Sequence, residues 1–270
     1  MRGLRASSAN PFLLALVSLL VAPVPTFPQV MQQPARSVFP DGGVRETLES
    51  IVISPKPGAP FTMTLQTEWV KTLSDGSTIT LVNERRIARD SRGRFYQERM
   101  SLVPKNGKQQ SMMTAIQIAD PVKHILYTCM MDGRNLCGVE QYSEVFDPSV
   151  APRESRGTRT LTLPDDQGFV NHEDLGNSST EGVETVGTRI TAIYSPGVFG
   201  NDNKLTVERE FWYSPQLAIN LISRVSDPRF GTQTFTATNL TLSEPDPKLF
   251  SMPTGFRAAT SEHVPSGLAH

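Results

Sequence analysis

The densest group of residues that could carry out chemistry is Asp165-Asp166 followed by His172-Glu173-Asp174. Carboxylates around one imidazole could bind a divalent cation or transfer protons as general acid and base. The simpler interpretation, which we favour, is a solvated loop. The sequence therefore predicts neither a metal site nor a cofactor, and it keeps a metal-dependent hydrolase only as a minor alternative.

The usual catalytic motifs are absent from the sequence. It contains no G-x-S-x-G, H-E-x-x-H, G-x-x-x-x-G-K-[ST] or G-x-G-x-x-G motif, which are the signatures of nucleophilic, zinc and phosphate sites. Asn201-Asp202-Asn203 resembles part of a calcium loop but lacks the glutamate at the twelfth position, so we predict a turn there. We predict that the protein is not an enzyme.

Cys129 and Cys137 are the only cysteines, and Asp132-Gly133 lies between them. Asp-Gly is a strong hairpin signal, and two strands leaving such a turn could bring the cysteine Cβ atoms to the ~4 Å that a disulfide requires. We expect a disulfide, because the protein is predicted to be exported. A zinc or redox site is the alternative, with His124 as the nearest further ligand.

The N-terminus has the pattern of a secretory signal. Arg2 and Arg5 precede an apolar run over residues 11–21, which is too short to span a bilayer. We predict a signal peptide over residues 1–26, cleaved between 22 and 32, and a periplasmic or secreted protein that is peripheral to a membrane at most. An uncleaved anchor is the alternative.

Composition limits the partners and the number of domains. Without the two leader arginines, 24 basic residues face 27 acidic ones, and this mild acidic balance argues against nucleic acid. The 270 residues, 38% of them hydrophobic, suffice for one core. We predict a flexible tail over 27–44, a single domain over 45–256 and a flexible tail over 257–270, with a short helix or first strand at 45–53.

Alternating apolar residues and turn signals predict antiparallel strands through most of the domain. Ser74-Asp75-Gly76 marks the first hairpin, between residues 61–73 and 77–88. The turn signals that follow predict one continuous sheet over residues 60–143 and long loops over 146–159 and 164–179. Beyond the loops they predict further strand pairing over 181–194 and a three-stranded meander over 205–242.

One side of these strands is predicted to be apolar. Ten candidate ligand-contacting residues share that side: Phe61, Met63, Leu65, Trp69, Ile79, Leu81, Val207, Phe211, Leu221 and Phe235. A sheet must cover such a face. Two interpretations stay open, an ordinary sealed core and a groove that holds an acyl chain.

Three short phrases resemble a known family. RDSRGR at residues 89–94, WYSPQL at 212–217 and EPDPKLF at 244–250, the last followed by Met252-Pro253, are similar to turns of the periplasmic lipoprotein-carrier superfamily of the LolA/LolB type, with its RseB-type relatives. The resemblance implies a mainly β (α+β) fold, an antiparallel, strongly curved open half-barrel with short helical and loop cover. It transfers no functional residue.

The leading hypothesis for function is non-catalytic binding of a hydrophobic or lipidated ligand, such as an acyl chain or a lipoprotein, in the concave face of the sheet. The second is a protein-interaction or envelope-sensing module that uses loops 146–179 or a sheet edge for an envelope protein partner.

Overall fold

The computed structural model describes residues 53–141 and 157–259, all of which belong to one compact unit, Glu46–His270. The predicted signal peptide, the tail over 27–44, nearly all of the segment 45–53 and the loop over 146–156 lie outside the described residues. So does most of the predicted C-terminal tail. No helix among the described residues is long and apolar enough to cross a membrane.

Fourteen β-strands make up the regular structure of the described part of the chain. In chain order they are β1 Phe61–Thr72, β2 Thr78–Arg89, β3 Phe95–Met100, β4 Val103–Pro104, β5 Met113–Asp120, β6 Ile125–Met130, β7 Leu136–Gln141, β8 Arg159–Thr162, β9 Gly168–Thr180, β10 Val183–Tyr194, β11 Leu205–Ser214, β12 Ile219–Asp227, β13 Gly231–Thr241 and β14 Arg257–Ala258. Two short 3-10 turns, Pro164–Asp166 and Pro247–Phe250, complete them.

The strands form one open sheet in the order β14-β7-β6-β5-β3-β2-β1-β13-β12-β11-β10-β9-β8, with β4 paired to β2 beside this path. Every pairing is antiparallel except that of β14 with β7. Two meanders, one from β1 to β7 and one from β8 to β13, are joined where β1 pairs with β13. The predicted antiparallel sheet and C-terminal meander are confirmed.

The hairpin turns form where the sequence indicates them. The Asp75 carboxylate accepts hydrogen bonds from the backbone N–H and the hydroxyl of Ser77, while Gly76 takes a φ of 83°. That left-handed conformation costs glycine little because it has no Cβ. Gly133 takes the same φ between β6 and β7, and the turn brings Cys129 opposite Cys137 in a disulfide with an S–S distance of 2.07 Å. The predicted disulfide is confirmed.

Two parts of the predicted fold are wrong. The sheet is not strongly curled, so it is not the strongly curved half-barrel that the resemblance implies, and no α-helix covers it among the described residues. Bulges bend a sheet, and four ladders of this sheet each carry one, but the ladder between β1 and β2 runs through 12 residue pairs without a bulge. Irregular segments and 3-10 turns take the place of helical cover.

The predicted long loop over residues 164–179 is also wrong, because most of it is the 13-residue strand β9. Its sequence, GFVNHEDLGNSST, is polar and carries two glycines, which is why it resembles a loop. The ladder of β10 supplies a hydrogen-bonding partner along its whole length. Hydrogen-bonded pairing with β10 thus outweighs the weak β-propensity of this sequence, as is common for strands.

The sheet has two hydrophobic cores on opposite faces. We call the face that carries Leu65 the inner face and the face that carries Gln66 the outer face. The first core lies on the inner face and includes Phe61, Leu65 and Leu221. The second lies on the outer face beneath the C-terminal segment and includes Ile118, the disulfide and Phe250.

Gly187 sits in the middle of β10 because a ring occupies the space of its missing side chain. It pairs with Trp212 of β11, and a Cβ at this position would lie 2.7 Å from Cζ3 of Trp212 and 2.8 Å from Cβ of Leu175. An aromatic ring across a strand from glycine covers backbone that would otherwise be exposed.

We expect Gly187→Ala to lower the free energy of unfolding by about 1–3 kcal/mol, because the new methyl group overpacks the site. Urea denaturation followed by tryptophan fluorescence measures the change. Gly138→Ala is the matched control, since its Cβ would meet only the Thr128 carbonyl oxygen, at 3.8 Å. Equal stability of the two variants would contradict this packing argument.

Candidate functional site

The acidic group that could have carried chemistry does not assemble. Asp165 and Asp166 lie in the 3-10 turn before β9, whereas His172, Glu173 and Asp174 are successive residues of β9 and alternate between its faces. Glu173 pairs with Arg189 at 3.1 Å. Within residues 53–141 and 157–259, no three His, Cys, Asp or Glu residues are grouped to hold a metal ion.

His172 is the member of this group with an altered environment. Burial, followed by the charge of Arg159, lowers the pKa of its imidazole, and its Nδ1 is buried without a hydrogen-bond partner. A histidine with a lowered pKa is neutral at physiological pH. His172 is therefore a neutral ring packed in the β9 ladder.

The predicted turn at Asn201-Asp202-Asn203 uses its side chain locally. The Asn201 side-chain amide donates hydrogen bonds to the backbone carbonyl oxygens of Ser195 and Asn203 in its own loop.

The ten predicted apolar residues do share the inner face. In β1 the odd positions lie on this face, and the register places Leu81 opposite Trp69 and Phe235 opposite Thr67. Val225 of β12 lies opposite Gln233 of β13, and Arg209 of β11 lies opposite Val225, so the inner face continues through β12 into β11. Phe211 and Val207 follow at alternate positions of that strand.

These ten residues divide into two sets by burial. The core set, Phe61, Met63, Leu65, Leu221 and Phe235, belongs to the inner hydrophobic core, and none of its members is more than 2% exposed. The rim set, Trp69, Ile79, Leu81, Val207 and Phe211, lies outside that core. Ile79 is 43% exposed, and Leu81 and Phe211 are half-buried, whereas Trp69 and Val207 are each only 7% exposed. A ligand could reach Ile79, Leu81 and Phe211 without opening the core.

Aromatic and basic side chains surround the rim set at the end of the strands. The indole N–H of Trp69 donates to the Phe230 carbonyl oxygen at 2.8 Å, and the Arg229 guanidinium lies 4.5 Å from the ring centre of Phe199. Phe199 itself is 50% exposed and packs edge-on against Tyr194. The rim is therefore an apolar surface with aromatic borders.

A polar band separates the core from the neighbouring strands on the inner face. Arg85, Gln97 and Gln117 belong to it, and Gln117 Oε1 accepts hydrogen bonds from Gln97 and from Arg99. Burial and the nearby charge of Arg99 lower the pKa of Arg85 to about 10. The guanidinium groups of Arg85 and Arg99 nevertheless stay charged at neutral pH, so the inner face is not uniformly apolar.

Arg89 is the most deeply buried charge of the described chain, with 0% exposure. Its guanidinium donates to three carbonyl oxygens: Nε and Nη2 to Ala59, Nη1 to Ser54 at 2.7 Å, and Nη2 to Leu217 at 2.7 Å. Burial lowers its pKa to about 10. Strands β1 and β13 lie between β2 and β12, so the turn that carries Leu217 must fold over the inner face.

The phrases that carry the family resemblance converge around this arginine. Arg89 bonds Leu217, the last residue of WYSPQL, and the Ser91 N–H donates to the Glu244 carboxylate of EPDPKLF. The Arg94 guanidinium lies 5.0 Å from the ring centre of Phe250. The three phrases therefore form a structural clasp at one end of the sheet.

A groove of about 780 Å³ lies on the outer face, opposite to the predicted apolar face. Its lining residues are Gln66, Thr67, Glu68, Val82, Asn83, Glu84, Met100, Val103, Lys105, Asn106, Ser111, Thr234 and Thr236. Most of them are polar, so the apolar alternation that predicts the inner-face residues does not include them. Their only sequence signal is the polar set of alternate positions in β1, β2 and β13.

Comparison with known proteins yields structural similarity at low identity. No protein-family model matches the chain, and no curated protein matches it. Among solved structures the chain is similar to MucB, with 14% identity and a TM-score of 0.36 over 75% of this chain and 60% of that chain. It spans a similar share, 62%, of the chain matched in the MucA/MucB complex from Pseudomonas aeruginosa.

Two shorter proteins are matched over most of their length. LprF from Mycobacterium bovis has 14% identity and a TM-score of 0.28 over 70% of this chain and 90% of that chain. A LolA superfamily protein from Nitrosomonas europaea has 9% identity and a TM-score of 0.26 over 74% and 92%. The resemblance to this superfamily is thus confirmed as a similarity among structures. TM-scores below 0.5 support no conclusion about ligand or partner.

We expect Arg89→Met to lower the free energy of unfolding by about 3–5 kcal/mol, because three buried carbonyl oxygens lose their donors. Arg89→Lys should cost less but still destabilise, since an ammonium group cannot reproduce the planar fork. Urea denaturation at pH 7 measures both. Arg92→Met, three residues beyond β2 at an exposed position of the same turn, is the control, and a loss no larger than that of the control would contradict the clasp.

Proposed function

We propose that the protein is a non-catalytic binding protein of the cell envelope that takes a hydrophobic or lipidated ligand on the rim set of its inner face. The observation that carries the proposal is the division of the ten apolar residues. Five of them fill a core, while the rim set lies outside that core, and three of its members, Ile79, Leu81 and Phe211, are only partly buried. Apolar area that the protein does not bury against itself is available to a ligand.

The surroundings of the rim set favour an acyl chain over a compact apolar ligand. Phe199, Leu73 and Ile79 are large apolar side chains that are at least 42% exposed near the same end of the strands. The Lys71 ammonium lies 4.1 Å from the ring centre of Trp69. A long apolar chain lying along the strands, with its acidic or polar head group near the Lys71 ammonium, would match this arrangement of exposed apolar side chains and positive charge.

We expect the mature protein to take up a dansyl-labelled undecanoic acid saturably, as measured by the rise in dansyl fluorescence. The double variant Ile79→Gln, Leu81→Gln should weaken the affinity about tenfold, because it removes apolar contact area worth ~1.4 kcal/mol or more. Both positions lie in the exposed half of β2, away from the buried core, so the fold should persist.

Val139→Gln is the matched control for this experiment. Val139 is also 43% exposed, but the register through β6, β5 and β3 places it on the outer face. Its substitution should leave the affinity unchanged. Absence of saturable uptake, or an equal loss in the control, would count against the proposal.

A protein-interaction module is the second candidate function, and one observation favours it. Within residues 53–141 and 157–259, strand β8 is the last strand of the sheet, and all four of its residues are exposed. The outer edge of such a strand offers backbone hydrogen-bonding groups to an extended partner.

We expect a photo-crosslinking amino acid at Leu161 of β8 to trap an envelope protein in cells, detected as a shifted band by immunoblot. The same amino acid at Val139, an exposed apolar position away from that edge, should trap none. Identical adduct patterns at the two positions would show that the edge has no selectivity and would remove this candidate.

A further inference from the structure

Three strands of the first meander carry polar side chains on the inner face. Ile87 of the inner core lies opposite Gln97 of β3, which lies opposite Gln117 of β5, and Gln117 lies opposite Thr128 of β6. Arg99 is two residues beyond Gln97, so its side chain is on the same face. Gln97 is buried, whereas the other three polar side chains are half-buried. We call Arg99, Gln117 and Thr128 the donor patch.

Hydrogen bonds within the polar band fix which atoms of the donor patch face a ligand. Gln117 Oε1 accepts from Gln97 Nε2 at 2.9 Å and from Arg99 Nε at 2.8 Å. The amide oxygen is thereby used, so Nε2 of Gln117 keeps its two N–H donors, and Arg99 keeps the donors of Nη1 and Nη2. Within the described residues none of these three nitrogens makes another hydrogen bond, and none is fully buried. A ligand can therefore reach them.

The charge around the donor patch is positive. Arg85 of β2 lies level with Arg99 in the register that pairs Ile87 with Gln97. Burial and then the charge of Arg99 lower the pKa of Arg85, so the two guanidinium groups interact. Burial also lowers the pKa of Arg99. Arg85 contributes charge alone to the argument, since no ligand contact is assigned to it.

No carboxylate of the neighbouring strands offsets this charge on the inner face. The described strands β2, β3, β5 and β6 carry no Asp or Glu at an inner-face position. The next strand, β7, has Glu140 there, opposite Leu126 of β6. Two like charges in a partly desolvated setting are costly unless an anion compensates them. The polar band thus offers donors and positive charge together.

The donor set fits a phosphate group better than a carboxylate. A guanidinium fork binds either group through two parallel hydrogen bonds. A carboxylate would use both of its oxygens on that fork. A phosphate monoester has three acceptor oxygens, so it could also accept from the Gln117 amide and the Thr128 hydroxyl. Thr128 lies two strand spacings, about 10 Å, from Gln97, and the long Arg99 and Gln117 side chains extend between them.

We propose that the donor patch is a binding site for a phosphate group, held by the Nη1 and Nη2 donors of Arg99, the Nε2 donors of Gln117 and the Thr128 hydroxyl. The phosphate is either a free anion or the head group of a lipid, which present the same chemistry to these donors. The site lies on β3, β5 and β6, whereas the rim set lies on β1, β2 and β11. It is therefore separate from the lipid-binding surface proposed above.

The test measures phosphate binding to the full mature protein by isothermal titration calorimetry at pH 7 in 20 mM NaCl. Three probes are used: inorganic phosphate, lysophosphatidic acid below its micellar concentration, and the monoacylglycerol with the same acyl chain. Saturable binding of inorganic phosphate would support the site and identify a free anion as a source. Lysophosphatidic acid that binds at least tenfold more tightly than the monoacylglycerol would support it and identify a lipid head group.

Two variants localise the site. Arg99→Gln removes the fork, while the new amide can still donate to Gln117, and it should weaken phosphate binding at least tenfold. Gln117→Glu should abolish binding, because its carboxylate still accepts from Gln97 and Arg99 but repels an anion. Arg86→Gln is the matched control, since it removes the same charge from an exposed outer-face position of β2. It should leave the affinity unchanged.

Three results would overturn the proposal. The first is the absence of saturable binding of inorganic phosphate together with equal affinities for lysophosphatidic acid and the monoacylglycerol. The second is phosphate binding that survives Arg99→Gln and Gln117→Glu while near-ultraviolet circular dichroism shows both variants folded. The third is an equal loss of phosphate binding in the rim variant Ile79→Gln, Leu81→Gln, which should bind phosphate normally because the two sites are separate.

Discussion

The burial of the Arg89 guanidinium is the interaction on which the rest of the described structure depends. A charge without exposure is costly unless hydrogen bonds replace its hydration, and here every hydrogen bond goes to a backbone carbonyl oxygen. The three carbonyls belong to the segment before β1 and to the turn between β11 and β12, while the charge belongs to β2. One side chain therefore fixes three parts of the chain that are far apart in sequence, and it lies 4.8 Å from the ring of Phe61 in the inner core.

The clasp around Arg89 explains how a sheet with a hydrophobic core on each face is held together without helices. An isolated layer of strands is not stable until each apolar face is covered. Ile87 faces the inner core and Ala88 the outer core, so adjacent residues of β2 connect them, and Arg89 follows directly. The inner core is closed by irregular chain and turns, and the outer one by the C-terminal segment around Phe250. Helices are not required when short irregular segments are held by specific hydrogen bonds.

The strands and most turns were predictable because their signals are local. Alternation of apolar residues in β1 gave its face, and Asp75-Gly76 and Asp132-Gly133 gave the hairpins and the disulfide. Strand β9 was missed because its polar residues depend on β10 for order. The division of the apolar face into a core set and a rim set was not predictable, since it depends on which strands lie beside one another. The role of Arg89 was missed because an arginine in a strand gives no sign in the sequence that its side chain is buried.

The order of the strands has a consequence for how the chain reaches this structure. Within each meander, neighbouring strands are close in sequence and can pair as soon as they are made. The β1–β13 ladder is different: Thr64 and Thr238, which are hydrogen-bonded across it, are 174 residues apart. Contacts of such separation close late, since the entropy of a long loop must be lost first. Until then β1 and β13 are both exposed edges with apolar residues, and the period between synthesis and closure is when the chain is most open to aggregation. We therefore infer that the joint at the centre of the finished sheet closes last and that its two strands most need protection until it does.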